Sequence, residues 1–365
     1  MTCERVCRYY NIGAMTVPHN IYIHIPFCMS KCNYCAFFSH ACTNPDWHAF
    51  TGGVLSEIDY WSNKLGKIDV PTVFFGGGTP SLMPTADFAQ IMTQIRTRFN
   101  VANDVEITLE SNPGTLNTAR LDEFIDAGVN RLSIGVQSLN DDELRFLGRR
   151  HSVADAMRLI DVALSRNIRI SGDFIYGLPE HTAQSVEKLC CDINKIGLTH
   201  CSLYELTIEP NTPFEKMNLN MPSNSDMAEM YNVIDNTLAL PRYEVSNYAA
   251  PGYECRHNQN IWDGDAYIGV GRGAAGRVFI DSTWYEQLGN GECFKSLSSH
   301  TRAIEKIITG LRTVRGLTLA PDTENALNME YINQHPDLLE ITDGRIRTTK
   351  NGMLILDEIL LNLVR

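Results

Sequence analysis

The chain of 365 residues is short of positive charge. Lys and Arg number 31 against 43 Asp and Glu, a formal net charge of −12. Neither half of the chain is basic. That deficit excludes nucleic acid and an anionic membrane surface as bulk partners. Long apolar runs are also missing, and no segment reaches the ~18 uninterrupted apolar residues of a membrane span. The most apolar stretch, Met353 to Val364, is interrupted by Asp357, Glu358 and Asn362 and reads as an amphipathic core helix. Residues 1–20 carry Glu4, Arg5 and Arg8 with no apolar core behind them, so no secretory signal is expected. Low-complexity tracts and charge blocks are absent. Eleven cysteines at irregular spacings are too few and too scattered for a disulfide scaffold. The expectation is a cytoplasmic protein without membrane insertion, in which a tight cysteine cluster means metal or catalysis.

What is present is a packed α/β chain. Apolar residues make up 44%, enough for a large core and too many for disorder. Short apolar segments at Ile21–Pro26, Thr72–Phe75, Val105–Leu109, Arg131–Val136, Ile168–Tyr176 and Cys201–Leu206 read as strands. Stretches with helical periodicity alternate with them, such as Ala86–Phe99, Thr118–Ala127 after an Asn117 cap, and Thr182–Ile196. Six such units predict a parallel sheet closing into a partial (βα)6 barrel over residues 21–250. An N-terminal extension, 1–20, precedes it. After about residue 250 the rhythm changes to a glycine-rich segment and helical stretches. Residues 251–365 therefore read as a separate, smaller and mostly helical C-terminal domain.

A barrel places chemistry just after its strands. Here those positions hold His24 to Cys28, Gly76 to Thr79, Glu110 to Pro113, Gln137, Ser138, Asp173 and Glu205. Cys28, Cys32 and Cys35 form C-x3-C-x2-C directly after the first strand. Three thiolates on one loop can hold three corners of a cubane and leave the fourth iron open. The competing reading is a structural zinc site completed by His24, His40 or Cys42.

The run Tyr22-Ile-His-Ile-Pro-Phe-Cys28-Met-Ser-Lys-Cys32-Asn-Tyr-Cys35 resembles the opening of the radical SAM superfamily, in its HemN/HemW branch. That branch holds oxygen-independent coproporphyrinogen III oxidases and haem chaperones. The likeness continues through Gly76-Gly-Gly-Thr-Pro80, Glu110-Ser-Asn-Pro113, Arg131-Leu-Ser-Ile-Gly-Val-Gln137-Ser, Leu147-Gly-Arg-Arg-His151, Tyr176-Gly-Leu-Pro179 and His257-Asn-Gln-Asn-Ile-Trp262. Only Met1 to Asn20 lies outside it, and Met15 is an alternative start. The resemblance implies a [4Fe-4S] cluster on the three cysteines. It also implies S-adenosylmethionine chelated to the open iron, where one electron from the cluster breaks the C–S bond to give a 5′-deoxyadenosyl radical. Gly77, Gly78 and Thr79 match the loop at the methionine end. Tyr22 matches an aromatic near the sulfonium, Glu110 and Gln137 the nucleoside contacts, Arg149 a carboxylate clamp and Asp173 a further pocket contact. Each has a plainer alternative: Tyr22 as a strand residue, Arg149 as a solvated helix arginine, Asp173 as a structural aspartate.

Two features separate the branches of the resemblance. The oxidases carry a fourth cysteine two residues after the third, where this chain has Phe37, and they have a longer N-terminal segment. Both point to the haem-chaperone side, whose members bind haem and pass it to haem-requiring proteins such as those of the respiratory chain. An electron donor is also implied. The chaperone side has an H-N-x-x-Y-W motif associated with haem. Here His257 and Trp262 are kept, Ile261 replaces the tyrosine, and Ala275 stands where relatives often have histidine. His257 is the expected axial ligand and Trp262 a stacking partner. Cys255 is a second candidate ligand. The alternative is that His257 and Asn258 brace the domain junction, and the alternative function is coproporphyrinogen oxidation.

Overall fold

The computed structural model describes residues 17–288 and 293–365. Most of the expected N-terminal extension, with Met15, lies outside the described residues. His19 and Asn20 already belong to the first strand.

Six strands follow one another with helices between them: β1 (His19–Ile25), β2 (Asp69–Gly77), β3 (Asn100–Ser111), β4 (Arg131–Gln137), β5 (Arg169–Tyr176) and β6 (His200–Glu205). The intervening helices are α1 (Trp47–Leu65), α2 (Thr85–Arg98), α3 (Thr118–Asp126), the pair α4 (Asp141–Phe146) and α5 (Val153–Ser165), and α6 (Ala183–Ile196). α7 (Asn224–Thr237) follows β6. All six strands run parallel, with Ile21 beside Val73 and Leu132 beside Ile170. Strands buried on both faces need near-continuous apolar runs. Ile21, Ile23, Ile25, Val73, Phe75, Leu109, Leu132 and Ile134 supply them, each almost fully buried. Helix starts follow local chemistry: the Asn117 side chain accepts from the Arg120 N–H at 2.9 Å, and Ser152 and Asp155 form a reciprocal cap on α5.

The sheet neither closes nor stops at residue 250. Among the described residues it has eleven strands. β7 (Asn247–Ala249) lies antiparallel on β6. After α8 (Arg256–Trp262), β8 (Ala266–Val270) lies parallel on the free side of β1, Ile268 beside Ile21. β9 (Gly276–Ile280), β10 (Thr283–Leu288) and β11 (Cys293–Leu297) extend that edge antiparallel. Four strands beyond residue 250 thus belong to the sheet that the sequence pattern assigned to the barrel alone. The mostly helical part begins later, at α9 (Ser299–Gly310). Its own core joins Ala303, Ile307, Leu327, Ile346, Ile359 and Leu363. The apolar stretch 353–364 is helical there up to Leu363 except for a break at Ile355, between Lys350–Leu354 and Leu356–Leu363.

Candidate functional site

The three cysteines sit on the loop that leaves β1, and all three line one cavity of about 460 Å³ at the C-terminal ends of the parallel strands. The loop is tied down by backbone: Asn33 N–H donates to Leu147, Cys42 N–H to Cys28, and the short strands Phe27–Cys28 and His40–Ala41 pair. Cys28 Sγ accepts from the Thr79 hydroxyl at 3.5 Å, and Cys32 Sγ from the Arg149 guanidinium at 3.3 Å. Among the described residues, no three His, Cys, Asp or Glu side chains converge as ligands of a single ion. His24 is bonded through both ring nitrogens, to the Tyr22 hydroxyl at 3.0 Å and the Phe38 carbonyl at 2.8 Å. His40 packs edge-on against Phe27. Neither histidine lines the cysteine cavity, nor does Cys42. The donor set is therefore three thiols around a space, which suits a multi-iron cluster.

The glycine loop after β2 lies against the cysteine loop. Gly78 N–H donates to the Ile25 carbonyl at 2.7 Å and Thr79 N–H to the Phe27 carbonyl at 2.8 Å. A Cβ at Gly78 would stand 2.6 Å from the Phe27 oxygen and 3.0 Å from Cys28 Sγ. Glycine is required there by the close approach of two backbones. Gly77 N–H donates to Glu110 at 3.0 Å. With these three N–H groups committed, carbonyl oxygens are what the loop has left for a ligand, and an ammonium group needs acceptors.

The other expected residues gather around the same space. Glu110, Gln137, Arg149 and Asp173 all line it. Gln137 has φ of +69°, strained for a residue with a side chain, and it marks a bulge against β5. Arg149 lies beyond the end of α4 rather than on a solvated helix face; it also donates to Asn112 and to the Gly135 carbonyl, and its Nε is buried without a partner. Burial, then the nearby Asp173 charge, pushes the Glu110 carboxyl up to about 8. Burial also raises Asp173, against hydrogen bonds from Ser133, Ser202 and Ser171. Tyr22 faces a second cavity, of about 530 Å³, that shares Phe37, Gly77, Glu110, Ser133, Asp173 and Tyr204 with the first.

His257 lines this second cavity, with Asn258, Ile261 and Ala275. Its ring is fixed. Thr72 Oγ1 donates to Asn20 at 2.7 Å, so it accepts from His257 Nδ1–H, also at 2.7 Å. Nε2 is then the lone-pair nitrogen, and it is buried with no partner. Burial holds the imidazole neutral, its pKa lowered to about 3. A neutral histidine oriented through its other nitrogen is the form that binds a metal. Trp262 is not brought to either cavity; it packs against Tyr243 and beneath Arg312. Cys255 lines neither cavity; its thiol donates to Glu106 and burial pushes its pKa up to about 11. Both replacements in the haem-associated pattern, Ile261 and Ala275, do lie on the cavity wall.

Several residues here were not singled out from the sequence. Asn112 links Thr79, at 3.0 Å, to Arg149, and it sits within the Glu110-Ser-Asn-Pro113 motif that gave a signal. Tyr34 stands beside Arg149 inside the cysteine motif. Arg131 opens the Arg131-Leu-Ser-Ile-Gly-Val-Gln137-Ser motif but was given no role, and Glu106 had no signal beyond being a charge near the start of an apolar strand.

Fold and cysteine loop together define a radical SAM protein, and residues 22–192 match the family model of the Radical SAM superfamily. A "Heme chaperone HemW" of Escherichia coli is 39% identical over 269 residues, covering 72% of this chain and 70% of that one. A mitochondrial "Radical S-adenosyl methionine domain-containing protein 1" of Danio rerio is 31% identical over 96% of this chain and 87% of its own. Among solved structures, coproporphyrinogen III oxidase (HemN) from Escherichia coli superposes with a TM-score of 0.80 at 20% identity, over 94% of this chain and 89% of that one. The last likeness concerns the fold. On the sequence relatives, the chain belongs to the HemW family of the radical SAM superfamily.

Proposed function

We propose that this chain is a haem-binding protein that carries a [4Fe-4S] cluster and S-adenosylmethionine and delivers haem to haem-requiring proteins of the respiratory chain. Cys28, Cys32 and Cys35 would hold the cluster. When bound, it supplies an open iron and one electron to the sulfonium of S-adenosylmethionine. Gly77, Gly78 and Thr79 present the methionine end of the ligand with acceptors. Arg149 offers a guanidinium to its carboxylate, while Tyr22, Glu110, Gln137 and Asp173 position the rest. His257 is the axial haem ligand.

The observation that carries the haem part is the unpartnered Nε2 of His257. A buried acceptor without a donor is costly, and the Thr72 contact at Nδ1 fixes the tautomer that leaves its lone pair free for iron. Trp262 takes no part in the haem site on this reading. Phe37, exposed on the cysteine loop where the oxidases carry a fourth cysteine, supports a chaperone over an oxidase.

Anaerobic reconstitution should give about four irons per chain, lost in Cys28→Ala with the far-UV spectrum unchanged. Haem titration should produce a Soret shift in the native chain that is lost in His257→Ala. An unchanged shift in that variant removes His257 as the ligand. Conversion of coproporphyrinogen with reductant and S-adenosylmethionine would move the assignment to the oxidase.

A further inference from the structure

Arg131 opens β4 and is 3% exposed, yet its guanidinium makes no side-chain hydrogen bond to any described residue. It lines the second cavity with His257, close enough that its charge helps to depress the imidazole pKa. A guanidinium carries five N–H donors in a planar fork, and here the fork is open to a ligand in the cavity.

The acids around it are engaged elsewhere. Asp173 accepts from Ser133 at 2.8 Å and from Ser171 and Ser202 at 2.9 Å. Glu106 accepts from Arg169 at 3.2 Å and from the backbone N–H groups of Arg256 and His257 at 3.2 and 3.0 Å. Glu110 accepts from Gly77. Glu106 and Asp173 lie close enough for their charges to act on Arg131, but neither accepts a hydrogen bond from its guanidinium. What fits a free, buried, planar fork is a carboxylate that takes two parallel hydrogen bonds.

We propose that Arg131 is the carboxylate-binding residue of the His257 cavity, and that the carboxylate it takes is a propionate of an iron porphyrin. This rests on the haem reading above. The cavity then grips its ligand at two chemically different points, iron on His257 and propionate on Arg131.

The full chain is titrated with haem, haem dimethyl ester, metal-free protoporphyrin and succinate, followed by Soret absorbance and tryptophan quenching. The native chain should bind haem about tenfold more tightly than its ester, the worth of one charge-assisted pair. Arg131→Gln should abolish that preference and weaken protoporphyrin binding by a similar factor. Arg131→Lys should keep part of it. Equal affinity of the native chain for haem and ester overturns the assignment and leaves the haem reading standing; this comparison needs no variant to fold. Preference retained in Arg131→Gln overturns it equally. Succinate that binds the native chain but not Arg131→Gln, without competing with porphyrin, gives the site to a free carboxylate and overturns the propionate. A native chain that binds no porphyrin overturns both readings.

Discussion

Glu110 is the residue where ionisation and stability meet. The unfolded chain releases this proton near 4.5, whereas the folded chain holds it to about 8. A group raised in this way subtracts stability as pH climbs through that window, because folding must then exclude the charged form. Glu110→Gln keeps the shape and an acceptor for the Gly77 N–H. In the metal-free protein, the variant should match the native chain near pH 4 and exceed it by roughly 4 kcal/mol at pH 8. Urea denaturation at the two pH values measures the gap; a gap that narrows with rising pH contradicts the burial argument. At this scale the sequence was informative wherever a motif fixes chemistry. Cys28, Cys32, Cys35, Glu110, Gln137 and Arg149 share a cavity because six strands end on one side. Arg131 opens a motif legible in the sequence, but its burial was not, for a physical reason. A charge at the start of an apolar strand is ordinarily a solvated end, and only the strands packed around it bury it.

Among elements, α8 shows how much one buried side chain can gather. Glu106, on β3 and 2% exposed, receives the Arg256 and His257 N–H groups, the Cys255 thiol and the Arg169 guanidinium. It ties the helix carrying His257 to the middle of the sheet. Glu106→Gln removes the charge that pairs with Arg169. The expected loss is about 3 kcal/mol, in the range for breaking a buried pair from one side. Hydrogen exchange should accelerate over residues 255–262 before the rest of the chain, and an unchanged rate there would show that α8 is held by its apolar packing alone. The strands beyond residue 250 were harder to read than the six before it. β9 and β10 are joined by Asp281 and Ser282, with φ of +48° and +62°. That is a tight hairpin of a kind usually flagged by glycine. Without one, the pair is hidden, and the glycines nearby read as a loop.

For the whole molecule, the position of β1 decides which pieces stand alone. It lies between β2 and β8, so its second neighbour comes from beyond the expected barrel boundary. A fragment of residues 17–250 would leave β1 as an open, flat, apolar edge, with Ile21, Ile23 and Ile25 losing cover. That fragment should aggregate or unfold without a cooperative transition, whereas residues 17–297 restore the sheet and should recover one. Calorimetry of both fragments makes the comparison. A cooperative transition in the shorter one would place the domain boundary back at 250.

The same strand imposes an order on synthesis. Of the described elements β1 is made first, but its partner β8 is made some 245 residues later. At ribosomal speeds that delay is roughly ten to fifty seconds. Throughout it, the cysteine loop hangs from a strand paired on one side at most. Iron supplied during translation would meet a loop not yet framed, and a chaperone shielding the nascent edge would at the same time be guarding the thiols.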